Sequence, residues 1–106
     1  MAVPEITVQE LEILHASGAE FLLLDVRNPD EYAECNLGGL LIPFIELSDR
    51  LGELDREKQI IIHCHAGGRS RRATEFLLAQ GFPRVRNLKG GISAWMNEIG
   101  PAKPIV

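Results

Sequence analysis

Ile60-Ile61-Ile62-His63-Cys64-His65-Ala66-Gly67-Gly68-Arg69-Ser70-Arg71-Arg72 is the stretch that decides how this chain folds. Its first part is an apolar, β-branched run, so Gln59 to His63 reads as a buried central strand. Gly67 and Gly68 permit a tight loop. A basic, helix-forming segment follows from Arg71 to Gln80, with Gly81 as its stop. Ala73, Phe76 and Leu77 share one face of that helix. Strand, short loop and helix in this order make half of a parallel βαβ unit.

The same alternation continues outward. Thr7-Val8-Gln9-Glu10 is a capping box for a helix to about Ser17, with Gly18 closing it and Val8, Leu11 and Leu14 as its apolar stripe. Phe21 to Leu24 is a continuous apolar run ending in Asp25, which reads as a buried strand. Asn28-Pro29 starts another helix, with Pro29 at the first helical position. Leu40-Leu41-Ile42 is a short strand stopped by Pro43, and Glu46 to Leu54 reads as a helix at the edge of the core. Val85 to Leu88 is the last strand and Ile92 to Ile99 the last helix. The class is therefore α/β, a small three-layer domain with a central, mostly parallel sheet flanked by helices. One domain is expected over residues 1–106, its core at about 5–99 and a tail over 100–106 that is either frayed or docked. Sites in such sheets open at the carboxyl ends of strands, where Cys64 stands.

The chemistry centres on that thiol. A free cysteine has a pKa of about 8.5, and lowering it by about two units takes about 2.7 kcal/mol. A helix terminus supplies ~0.3–1 kcal/mol and each hydrogen bond to a charged group ~1.5–3 kcal/mol. The amides of a loop running from His65 through Ala66, Gly67, Gly68 and Arg69 to Ser70, at the start of a helix, suffice to hold an anion or a thiolate. The plainer alternative is a small buried hydrophobe at the end of a core strand.

Composition limits the partners. The net charge of −4 argues against nucleic acid. Basic residues gather in the second half as Arg69, Arg71, Arg72, Arg84, Arg86 and Lys89, which reads either as a positive mouth for small anions or as scattered solvated charge. Met1-Ala2-Val3-Pro4-Glu5 lacks the basic start and apolar run of a signal peptide, and no segment is long enough for a membrane. Cys35 and Cys64 lie in different contexts and do not make a disulfide framework, so a cytoplasmic protein is expected. His63 and Cys64 point to opposite faces of a strand, and no further Cys or His cluster has ligand spacing. Neither a metal nor a cofactor is expected.

Three motifs, in order over about seventy residues, resemble those of the rhodanese-like sulfurtransferases. Cys64-His65-Ala66-Gly67-Gly68-Arg69-Ser70 resembles their active-site loop. Leu24-Asp25-Val26-Arg27-Asn28-Pro29-Asp30-Glu31-Tyr32 resembles the first-strand motif and the turn after it. Gly90-Gly91-Ile92-Ser93-Ala94-Trp95 resembles the C-terminal signature. The resemblance implies a persulfide on Cys64, small sulfur donors such as thiosulfate or a persulfide, and cyanide or thiol acceptors. It also implies substrate contacts from His65, Ala66, Gly67, Gly68, Arg69 and Ser70. At Cys35-Asn36-Leu37-Gly38-Gly39-Leu40 the chain departs from the family's Gly-His-Ile-Pro-Gly-Ala pattern and has one residue fewer before Pro43. Cys35 to Pro43 instead resembles rhodanese domains appended to adenylyltransferases, which implies a sulfur-carrier or desulfurase protein as partner.

Several residues carry two readings. Arg69 either steers an anionic donor or folds back onto a carboxylate such as Glu31. Ser70 either caps the following helix or touches the sulfur. His65 is either a pH-dependent charge at the mouth or an exposed imidazole, and His63 reads as a hydrogen-bonded structural histidine. Cys35 is a packing residue or a resolving thiol. Asp25 and Arg27 read as structural ties and Trp95 as a core anchor. Two rival functions remain. His63-Cys64 begins like the tyrosine-phosphatase signature, as in a phosphatase or arsenate reductase. That signature has five residues before its arginine, and here only four separate Cys64 from Arg69. A non-catalytic partner-binding module is the other.

Overall fold

The computed structural model describes residues 2–106. Among the described residues five strands form one sheet: β1 (Glu5–Ile6), β2 (Leu22–Asp25), β3 (Leu40–Leu41), β4 (Ile60–His63) and β5 (Val85–Leu88). Their order is β1-β5-β4-β2-β3 and every pairing is parallel. The helices are α1 (Val8–Ala16), α2 (Pro29–Glu34), α3 (Gly68–Ala79) and α4 (Gly91–Glu98). β4 is the middle strand, and all four of its residues are buried, as its unbroken isoleucine run requires in a sheet covered on both faces.

Alternation along β4 divides the core. Ile60, Ile62 and Cys64 face one layer with Leu24, Val26, Ile42, Ala73, Leu77 and Phe82. Ile61 faces the other with Ile6, Leu11, Leu23, Leu37, Ile92 and Trp95. The first layer is roofed by α3, the second by α1 and α4. Trp95 is the core anchor expected of it, 5 % exposed.

Local chemistry sets the element ends. Thr7 and Glu10 exchange the reciprocal bonds of a capping box, Glu10 N to Thr7 Oγ1 at 3.1 Å and Thr7 N to Glu10 Oε1 at 2.9 Å. Two details differ from the sequence reading. Glu46 to Leu54 is not one helix but two 3-10 segments, Phe44–Asp49 and Leu51–Glu53, broken at Arg50. Leu51 and Leu54 point to the core at a spacing of three, which suits i→i+3 bonds such as Leu54 N to Leu51 O at 3.1 Å. β1 is the second difference. At two residues it has no pattern to display, and it exists through Asn87 N to Pro4 O at 2.8 Å and Lys89 N to Ile6 O at 2.9 Å.

The segment over 100–106 is docked. Ile105 N donates to Leu37 O at 2.8 Å, and Ala102 and Ile105 pack on the second layer. No helix among the described residues is long and apolar enough to cross a membrane.

Candidate active site

Cys64 stands at the carboxyl end of β4, 2 % exposed, where the chain turns into α3. Gly67 makes the turn at φ +111°, a conformation that side chains oppose, and is the N-cap of α3. The helix therefore begins at Gly68, earlier than Arg71. Its free N-terminal amides converge on the sulfur. Gly67 N donates to Sγ at 3.1 Å, Ser70 N at 3.4 Å, and Ser70 Oγ lies 3.4 Å away. Burial alone would push the Cys64 thiol up. The Ser70 hydroxyl, with the amides of Ser70, Gly67 and Arg69, outweighs it and holds the thiol below its ordinary range.

The loop is gripped from outside as well. Ile92 N donates to Cys64 O and Ser93 N to His65 O, both at 3.0 Å. These are first-turn amides of α4, which have no partner within their own helix. One helix N-terminus thus takes the loop's carbonyls while another takes its sulfur. Gly91, at φ +61°, lets the two chains meet: a Cβ there would lie 2.6 Å from both Cys64 O and His65 O.

Of the two readings of Arg69, the structure shows the fold-back. Its Nη1 donates to Glu31 Oε1 at 2.7 Å and its Nη2 to Glu31 Oε2 at 2.9 Å. Oε1 also accepts from Asn28 N at 3.1 Å, so Glu31 caps α2 and ties it to α3. The Arg69 hydrogen bonds hold the Glu31 carboxyl down at about 2. Ser70 is not a helix cap. It is the third residue of α3, and its hydroxyl lies against Sγ, Gly67 O at 3.2 Å and Asn87 Oδ1 at 2.6 Å. His65, Ala66 and Gly68 are exposed on the rim.

Two charges beside the loop pair with each other. Asp25 and Arg27, 0 % and 2 % exposed, form a buried ion pair with Arg27 Nη2 to Asp25 Oδ2 at 2.8 Å. The same Nη2 donates to Cys35 O at 2.8 Å. His63 is fully buried. Its Nδ1 is 3.4 Å from Cys64 O, while Nε2 has no hydrogen-bond partner among the described residues and lies 3.7 Å from Asp25 Oδ2. The hydrogen-bonded histidine expected there is thus bonded on one side only. Burial keeps it neutral, pulling its pKa down. Arg84 and Arg86 do not belong to the mouth. They bond Glu57 O and Gln59 Oε1 at the other end of the sheet.

Cys35 is half-buried. It lines an open cavity of about 370 Å³ with Arg27, Glu31, Glu34, His65, Ile92 and Met96. In the stretch that departs from the family pattern, Asn36 supplies the turn, accepting from Gly38 N at 2.8 Å and donating to Tyr32 O at 3.0 Å.

Two residues escaped the sequence reading of the site. Gly91 was visible only as part of a signature, with nothing to link it to Cys64. Asn87 carried a signal, a carboxamide inside the strand Val85–Leu88 where asparagine is disfavoured.

The chain is similar to known proteins over most of its length. Residues 7–98 match the Rhodanese-like domain family. A sulfurtransferase of Allochromatium vinosum is 36% identical over 94 residues, covering 88% of each chain. A putative sulfur carrier protein of Bacillus subtilis, YrkF, is 34% identical over 95 residues, or 89% of this chain and 51% of that one. The chain spans about half the length or less of several curated relatives it matches. The human single-domain sulfurtransferase TSTD1 superposes with a TM-score of 0.83 at 28% identity, over 92% of this chain and 98% of that one. With its parallel sheet, its cysteine loop and relatives named for sulfur transfer, the chain belongs to the rhodanese-like domain family.

Proposed function

We propose that this protein is a sulfurtransferase that carries sulfane sulfur as a persulfide on Cys64. The observation that carries the reading is the convergence of Gly67 N, Ser70 N and Ser70 Oγ on Sγ at 3.1–3.4 Å. The Cys64 thiolate attacks the outer sulfur of thiosulfate or a persulfide. A sulfur–sulfur bond forms to Sγ, the donor's own sulfur–sulfur bond breaks, and sulfite or a thiolate leaves with the electron pair. An acceptor, cyanide or a thiolate, then attacks the outer sulfur and Cys64 departs as thiolate. The inward-facing loop amides stabilise the negative sulfur in both steps, as oxyanion-hole amides stabilise oxygen.

The geometry favours sulfur over phosphate. A phosphatase needs its loop arginine on the phosphate oxygens, and here both Arg69 nitrogens that bond Glu31 are committed away from the sulfur. The exposed rim at His65 and Ala66 suits docking by a partner protein, and a sulfur-carrier or desulfurase protein is the proposed class, in line with the name of the Bacillus relative. A thiol of this kind works in a reducing compartment, hence the cytoplasm.

Intact-protein mass spectrometry after incubation with thiosulfate tests the reading. The expected result is one added sulfur atom on the native chain, removed by cyanide and absent from Cys64→Ser. If neither thiosulfate nor a glutathione persulfide loads the native chain, the reading is wrong.

A further inference from the structure

The Ser70 hydroxyl has a single proton and three acceptors around it. Asn87 Oδ1 is at 2.6 Å, Gly67 O at 3.2 Å and Cys64 Sγ at 3.4 Å. Asn87 is 2 % exposed and reaches the site from β5, the strand beside β4. At 2.6 Å the contact falls in the short range of O–H···O bonds. We propose that Asn87 is a positioning residue that competes with Cys64 for the Ser70 proton, and so sets how far the hydroxyl supports a charged sulfur.

The consequence follows from the charge on Sγ. A thiolate attracts the proton more strongly than a neutral carboxamide does, so the hydroxyl turns to Sγ when Cys64 is ionised. In a persulfide the charge sits on the outer sulfur and Sγ is neutral. The hydroxyl then returns to Asn87, and no buried donor is left without an acceptor. The carboxamide thus trades some thiolate stability for a satisfied hydroxyl in both forms. Were the amide turned round, Nδ2 would donate to Ser70 Oγ and push the proton toward sulfur, with the opposite effect on ionisation.

This inference rests on Cys64 being the nucleophile, yet its test uses no sulfur donor, so the two fail separately. The rate of Cys64 alkylation by iodoacetamide is followed against pH in the full chain, with peptide mass separating it from Cys35. The variants are Asn87→Leu, Ser70→Ala and the double. Other titratable groups around the sulfur stay unchanged: His63 and His65 on its own segment, Asp25 and Arg27 from β2 and the turn after it, Glu31 from α2 and Arg69 from α3.

With the competing acceptor gone, Asn87→Leu reacts about three- to tenfold faster on the acid side of the profile. Ser70→Ala slows the native chain by less than about threefold, and slows the Asn87→Leu chain by about tenfold. An unshifted profile in Asn87→Leu, a shift to higher pH, or equal effects of Ser70→Ala in both backgrounds would overturn the inference. If circular dichroism shows that Asn87→Leu does not fold, Asn87→Val replaces it. If neither folds, Ser70→Ala alone decides: a loss under about threefold supports the competition, and a larger one refutes it.

Discussion

Gly91→Ala is a one-methyl change, remote in sequence from Cys64, that should disable the loop. At φ +61° an alanine costs about 1–2 kcal/mol in backbone conformation alone. The new Cβ would stand 2.6 Å from Cys64 O and His65 O and 2.8 Å from His65 C, all backbone atoms without rotamers to yield. Relief requires the loop and α4 to separate, which gives up Ile92 N to Cys64 O and Ser93 N to His65 O. Each of those bonds is worth about 0.5–1.5 kcal/mol. The total is about 2–5 kcal/mol, a large share of the 5–15 kcal/mol by which domains are stable. Thermal unfolding followed by circular dichroism should show the midpoint falling by roughly 10–20 °C, by the scaling for domains of this size. Cys64 alkylation should slow toward the rate of an ordinary thiol, because the amides no longer converge on it. A variant within about 1 kcal/mol of the native stability, with Cys64 as reactive as before, would refute the idea that α4 clamps the loop.

Two further predictions concern the same loop. Gly68→Ala should be harmless or stabilising by about 0.4–1 kcal/mol in urea unfolding, because a Cβ there meets no atom within 4 Å and the position is already helical. A strong loss of sulfur loading in that variant would mean the donor lies on Gly68 itself. Glu31→Gln should weaken the α2–α3 tie by about 1 kcal/mol, a modest figure because both side chains are about one-third exposed to screening solvent. The Glu31 carboxyl sits at about 2 when folded against 4.5 when free, so its contribution is complete above pH 4.5 and fades as pH falls toward 2. Urea titrations across that window should show a flatter acid slope in Glu31→Gln; an identical slope would place the acid sensitivity elsewhere.

The parts of the fold that sequence displays are those whose stabilisation is local. The isoleucine run of β4, the Thr7 capping box and Pro29 at the head of α2 each carry their reason within a few residues. What stayed hidden depends on partners far along the chain. Arg69 could not be assigned between its two readings because Glu31 lies 38 residues away. β1 depends on a neighbour some eighty residues distant. Ser70 looked like a cap because serine caps helices often, but Gly67 had already made the turn and left the hydroxyl inside the first turn of α3. The donors that meet the Cys64 sulfur were open to sequence reading because Gly67 and Ser70 follow it within six residues.

The parallel order of the sheet has a consequence for how the protein is born. β4 lies between β2 and β5, so the strand that leads to Cys64 is flanked by chain made both before and after it. Asn87, which meets the Ser70 hydroxyl, and the α4 amides, which meet the loop carbonyls, are synthesised more than twenty residues later than Cys64. Until α4 packs, the carbonyls of Cys64 and His65 lack their α4 partners. The clamp on the loop is therefore complete only with the finished tertiary structure. The pH profile of Cys64 alkylation is thereby expected to differ between the folded and the unfolded chain, a readout of folding that needs no added label.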